Sequence, residues 1–392
     1  MPAYVAVEYP TNYNAYDSPR TPCVGKSKMD CELVLREDLF REYQTITKPS
    51  EMPGYQIEVH LDLVLDQILE LSQTESKIQV RITVKQWWTD ARLLWNQTEY
   101  NGIEYIHVDP EELWTPEIIL YNNIDGQYLA SLSDAPALLE WNGTVHWNPP
   151  SIYSANCNIR VTQFPYDTQA CTLMFKSWVY DYPEISLTPV SQKPNTDKLK
   201  KHIEWDVTNA IVWQQSVPEW TPEGDKNVTY VCYTLFLSRL PLYYTCYIIV
   251  PSIVITGLII VVFHLPNIGG EKITLSISTL LALTFFLTLV SSITPKTSYN
   301  VPLISKFLLF SMTLVAMSVM SSVFVANIHH RTPQTHKFPK WCRKIFLDVS
   351  NLKFLGICIL INYFLGITTI YFNGKAIKGK AYVSSRIPVF NR

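Results

Sequence analysis

Thr274, Ser278, Leu281, Phe285, Thr288 and Ser292 step by four, three, four, three and four residues, the spacing of one helix face. They lie in Ile273–Ile293, an apolar segment of about 20 residues, long enough to cross a hydrocarbon core as a helix. Hydroxyls inside spans often bond their own backbone, and Thr279, Thr284 and Ser291, off this row, fit that use. A row with hydroxyls at both ends and Leu281 and Phe285 in its middle fits a water-filled path better. One helix cannot enclose water, so several copies of the chain must contribute to a ring. Glu271 and Lys272 flank the start of the row. Copies of Glu271 in a ring attract cations and repel anions. The competing reading is a plain Glu271–Lys272 pair, which contributes little where it is exposed. This is chemistry of selection and passage. No nucleophile–base set, zinc spacing or phosphate loop suggests an enzyme, a metal site or a cofactor.

Two cysteine pairs come next. Cys157 and Cys171 enclose the 13 residues NIRVTQFPYDTQA. No second pair or nearby His completes a zinc site, so a disulfide is expected, worth about 3 kcal/mol in the chain-entropy model. Cys23 and Cys31 are the candidates for a second bridge, and Cys232, Cys246, Cys342 and Cys358 are expected to be free. Asn96-Gln-Thr, Asn142-Gly-Thr and Asn227-Val-Thr are glycosylation sequons, all ahead of the first apolar segment.

Four apolar segments must position the row: Leu240–Phe263, Ile273–Ile293, Leu303–Ala326 and Leu352–Phe372. The connection Asn327–Asn351 carries Arg331, Lys337, Lys340, Arg343 and Lys344 against Asp348, which places it in the cytoplasm. Four spans then put both termini outside, as the sequons require, although the tail Lys375–Arg392 is also basic. Met1-Pro2-Ala3-Tyr4 shows no basic-then-apolar leader. The formal charge of −2 hides a split. Residues 1–240 hold 18 basic against 32 acidic side chains, and residues 241–392 hold 14 against 2. The basic excess sits beside the spans, so it argues for membrane orientation rather than nucleic acid.

The first 240 residues read as mostly β. Tyr55–Leu65, Lys77–Gln86, Ile152–Thr162 and Tyr230–Leu237 alternate, or carry β-branched and aromatic residues, between Pro, Asn, Asp and Gly. One helix is expected near Cys31–Tyr43 with Asp30 as its cap. Ten of the 11 Trp fall in this half, which suits a β-sandwich with an aromatic core.

Several motifs then point one way. Phe164-Pro165-Tyr166-Asp167 lies at the centre of the Cys157–Cys171 loop. Trp88-Thr89-Asp90, Trp114-Thr115-Pro116-Glu117, Trp147-Asn148-Pro149-Pro150, Ser177-Trp178-Val179-Tyr180-Asp181 and Arg239-Leu240-Pro241-Leu242-Tyr243-Tyr244 occur in the order of one family. Over residues 30–372 the chain resembles the Cys-loop receptors, the pentameric ligand-gated ion channels, closest to their nicotinic acetylcholine branch. The resemblance implies an extracellular β-sandwich (residues 1–239) and membrane helices one to three (240–326). A short cytoplasmic linker (327–351), a fourth helix (352–374) and an extracellular tail (375–392) follow. It implies a homopentamer or heteropentamer in the plasma membrane, in contact with lipid and passing cations.

The resemblance assigns further expectations. Anion-selective branches resemble Pro-Ala-Arg where this chain has Gly269-Gly270-Glu271-Lys272, so cation selectivity is expected. Leu281 stands at the hydrophobic gate, Phe285 adds bulk beside it, and Ser292 replaces an outer acid. Coupling between the halves falls to Gln73-Thr74-Glu75, to the Phe164–Asp167 loop with Pro165, to Arg239, and to the Thr294–Val301 linker with Pro295. Arg239 is expected among Glu75 and Asp167. The agonist site is an aromatic box between subunits, with Tyr121 and Trp178 on one face and Trp220 and Tyr230 as further candidates. Thr83 and Asn148 belong to the opposing face, where Lys85 and His146 also lie. The vicinal Cys pair of acetylcholine-binding subunits is absent. Another amine, protons, a metal ion, or an accessory subunit without its own agonist all remain open.

Overall fold

The computed structural model describes residues 23, 25, 27–49, 55–126, 135–221, 224–262, 264–265, 270–295 and 301–329. The fourth apolar segment, Cys342, Cys358 and almost all of the 327–351 linker lie outside the described residues.

The first element among the described residues is helix α1 (Lys28–Phe40). It starts three residues ahead of the expected Cys31. Its cap is Ser27 rather than Asp30: the Ser27 hydroxyl accepts from the Asp30 backbone N–H, and Asp30 lies in the first turn. Cys31, Leu35 and Leu39 turn inward.

Eleven strands follow among the described residues: β1 (Ile57–Ser72), β2 (Lys77–Leu94), β3 (Tyr105–Val108), β4 (Ile118–Leu120), β5 (Ala137–Glu140), β6 (Asn142–Trp147), β7 (Pro150–Asn156), β8 (Thr168–Ser177), β9 (Ile185–Pro189), β10 (Trp205–Thr221) and β11 (Gly224–Arg239). One sheet has the order β3-β5-β6-β2-β1-β9, with β7 also paired to β2, and the second is β10-β11-β8-β4. The β1–β9 pair is parallel, and the other pairs are antiparallel. Alternate side chains of β1 and β2 are buried, as expected where one face of a sheet meets a core. Trp88, Trp114, Trp205, Tyr233 and Phe175 are among the largest fully buried side chains of the core.

Below the sandwich run helices α2 (Leu242–Val262), α3 (Glu271–Ile293) and α4 (Leu303–His329). The first turns of α2 include a π-helical stretch at Thr245–Ile249. All three are long and apolar enough to cross a membrane. Gly270, at φ +67°, caps α3 in the left-handed region that glycine occupies without strain.

Candidate functional site

Three places carry the candidate residues. The first is the outward face of α3. This helix buries Ser276, Thr279, Leu283 and Val290 against its neighbours. The face left exposed contains Glu271, Thr274, Ser278, Leu281, Phe285, Thr288 and Ser292, with Leu281 70% and Phe285 62% exposed. Ser291, off the row, is exposed as well. The hydroxyls of Ser278, Thr288 and Ser292 donate to the carbonyls of Thr274, Phe285 and Leu289 at 2.7 to 2.9 Å. Backbone bonding therefore does not distinguish on-row from off-row hydroxyls, since Thr279 and Thr284 do the same. Each donor is used, but a hydroxyl oxygen keeps acceptor capacity, and on this exposed face it can accept from water or solvate a cation.

The second place joins the two halves. Arg239, the last residue of β11, is buried with Asp167, and its Nε and Nη2 donate to Asp167 Oδ1 and Oδ2 at 2.7 and 3.1 Å. Nη1 donates to Glu204, whose carboxylate also accepts from the Tyr244 hydroxyl at 2.8 Å. With its amide turned to suit these donors, Gln73 presents its oxygen to Nη1 at 2.9 Å. The guanidinium lies 4.1 Å from the Trp205 ring centre and 5.0 Å from that of Phe164. Glu75 is not among these partners. It is exposed and pairs with Lys77 at 2.6 Å, which raises the Lys77 pKa. The hairpin turn carries Glu75 outward, and Glu204, 35 residues before Arg239, takes the place expected for it.

The Cys157–Cys171 disulfide closes as expected, and so does Cys23–Cys31. Cys232 and Cys246 are free. The closed loop touches the membrane helices at three points. The Phe164 ring packs edge-on at 4.9 Å from Tyr244, and the Tyr166 hydroxyl bonds Thr245 at 3.0 Å. The Thr162 carbonyl accepts from the backbone N–H of Leu303, the first residue of α4, at 3.0 Å. Pro165 follows Phe164 through a cis peptide, and Pro295 is half-buried just past α3.

The third place is on the β10-β11-β8-β4 sheet. Buried motif residues build its frame. Trp88 and Trp114 meet edge-on at 6.0 Å, and Trp114 Nε1 donates to the Tyr180 hydroxyl at 2.9 Å. Ser177 donates to the Pro116 carbonyl and accepts from the Tyr180 N–H, which fixes the turn carrying Trp178. Trp178 is 62% and Tyr121 45% exposed, so neither is a core aromatic, while Tyr230 is 6% exposed. The Tyr121 and Tyr230 rings are 5.2 Å apart and edge-on. Burial, and then the Glu219 charge, push the Tyr230 phenol above its usual pKa. Trp220 lies near the end of β10, paired with Asp225. Lys176, which the sequence reading did not select, holds its ammonium 4.9 and 5.6 Å from the Tyr121 and Tyr230 ring centres. It also bonds Glu219 at 3.0 Å. A signal for it existed: Lys176 is the one charged residue in β8.

Thr83 and Asn148 lie on the other sheet, Thr83 in β2 and Asn148 exposed between β6 and β7. The Thr83 hydroxyl donates to Asp66 at 3.2 Å. One chain therefore does not bring these two to the aromatic cluster through any sheet pairing. Asn96, Asn142 and Asn227 are all exposed.

The model of the neurotransmitter-gated ion-channel ligand binding domain matches residues 32–241, and that of the corresponding transmembrane region matches residues 248–356. The chain belongs to the neurotransmitter-gated ion-channel family. Among its relatives is the neuronal acetylcholine receptor subunit beta-4 of Rattus norvegicus, 40% identical over 325 residues, 81% of this chain and 64% of the relative. The beta-2 subunit of Carassius auratus is 39% identical over 318 residues, covering 80% and 68%. The alpha-6 subunit of Mus musculus is 36% identical over 324 residues, covering 83% and 65%. The chain spans 64% of the length of the beta-4 relatives from rat and mouse. A family of ion channels accounts for the lack of any enzyme motif.

Proposed function

We propose that this chain is a subunit of a pentameric, cation-selective, ligand-gated channel of the plasma membrane. Agonist bound between extracellular domains opens a pore lined by α3. The observation that carries this is the exposed α3 face, which begins at Glu271, runs through hydroxyls, and has Leu281 and Phe285 as its apolar waist. A ring of Leu at that level closes a pore by dewetting, and a ring of Glu271 at its end concentrates cations. The relatives named as acetylcholine receptor subunits support the same reading. The splitting of Tyr121 and Thr83 between two sheets suits a site completed by the neighbouring subunit. The test is whole-cell current from cells expressing the chain, alone and with nicotinic subunits, across amines, protons and divalent cations. Cation current evoked by one of these supports the proposal. Surface expression without current in every combination overturns it.

A second reading, an accessory subunit that conducts only in hetero-oligomers, is favoured by Lys176 within the aromatic cluster. Current only from co-expression selects it over the first.

A further inference from the structure

The aromatic cluster on β8, β11 and the end of β4 has the chemistry of a cation site, and it already holds a cation. Lys176 is one strand step beyond the Val231–Phe175 pair, which sets its side chain beside Tyr230. The Tyr121 backbone N–H donates to the Met174 carbonyl at 2.7 Å, which fixes Tyr121 on the other flank of β8. The Lys176 side chain is only 8% exposed. Its ammonium faces both rings and bonds the Glu219 carboxylate, so its charge is balanced where it sits. Trp178, two residues further on, is more exposed than either tyrosine.

We propose that Lys176 is the resident cation of this face and fixes its specificity. Its ammonium caps the Tyr121–Tyr230 pair, where a ligand ammonium would need to sit, with Glu219 as counter-ion, so the face rejects cationic amines. The inference rests on the reading of this cluster as the agonist face. An incoming ammonium meets a like charge a few ångströms away, and the Tyr121 and Tyr230 rings already face the Lys176 ammonium, which leaves only the Trp178 ring of the three open to it. It gains less from Glu219, whose charge is already balanced by Lys176 at one oxygen. In a mixed assembly, an amine must therefore bind against the aromatic face of another kind of subunit.

The test uses the full chain in lipid nanodiscs and tritiated acetylcholine as the probe. The unmodified chain and Lys176→Arg should show no saturable binding up to about 1 mM, whereas Lys176→Gln should bind at least about tenfold more tightly. Equal binding by the unmodified chain and Lys176→Gln, or no gain in Lys176→Gln, overturns the proposal. If Lys176→Gln does not fold, the unmodified chain still decides. Its Lys176 should react with a water-soluble acetylating ester at least about tenfold more slowly than exposed Lys193, and Glu219→Gln should speed that reaction. Equal rates at Lys176 and Lys193 also overturn it. Binding and acetylation are read without current, so failure here is distinct from failure of the channel reading.

Discussion

Arg239 and Asp167 meet through two hydrogen bonds, Nε to Oδ1 at 2.7 Å and Nη2 to Oδ2 at 3.1 Å, with both side chains out of solvent. Paired this way, the guanidinium fork carries geometry as well as charge. It ties the end of the last strand to the disulfide loop.

Breaking that pair should cost far more than breaking an exposed one. Asp167→Asn leaves a buried guanidinium with one carboxylate fewer, and loss of about 3–5 kcal/mol is expected. Glu75→Gln removes only the exposed pair with Lys77 and should cost under about 1 kcal/mol. Thermal unfolding of the solubilised full chain measures both. Equal effects would show that burial is not what makes the Arg239 contacts matter.

Glu204 should couple to the same network. It accepts from both Arg239 and Tyr244, so Glu204→Gln and Tyr244→Phe should be non-additive by roughly 0.5–3 kcal/mol in a double-mutant cycle. The readout is agonist sensitivity of the current, or melting temperature if no agonist is found.

Leu281→Ser should raise resting current, because a hydroxyl at the apolar waist keeps water in the closed path. The variant is expected to leak without ligand at unchanged surface density. An unaltered resting current would place the waist elsewhere on α3.

Glu271→Ala should shift the reversal potential in dilute external NaCl toward that of chloride. An unmoved potential would assign ion selection to residues outside the start of α3.

Alkaline sensitivity follows from Cys232. Burial pushes its thiol up to about 12, well above the usual value of about 8.5. The fold thus favours the neutral thiol. That stabilisation is complete below about pH 8.5 and is lost as pH rises toward 12. Iodoacetamide at pH 8 should leave Cys232 unmodified in the folded chain and alkylate it after denaturation. Cys232→Ala should flatten the alkaline loss of stability.

The sequence made the membrane helices and the α3 row legible because a span is long, apolar and repeats a simple period. The start of α1 lies three residues ahead of the expected Cys31, since Asp30 and Ser27 both suit a cap and only the folded turn selects the Ser27 hydroxyl. The long strands β1 and β11 extend well past the runs their alternation suggested, because polar and charged residues continue them at their ends. Glu204 at Arg239, and Lys176 against the Tyr121–Tyr230 pair, are not legible in the sequence for a different reason. Each depends on strands far apart in the chain arriving side by side, and one-dimensional periodicity carries no information about that meeting.

The bond from Leu303 to the Thr162 carbonyl has a consequence for how the two halves keep their alignment. The first N–H of a helix has no partner within the helix, so α4 borrows one from the disulfide loop. Lifting the loop strands that donor at about 1–3 kcal/mol unless water reaches it. The loop therefore acts as a latch with a discrete seat. Any motion passed down from the sandwich must either carry the head of α4 along or break that latch outright.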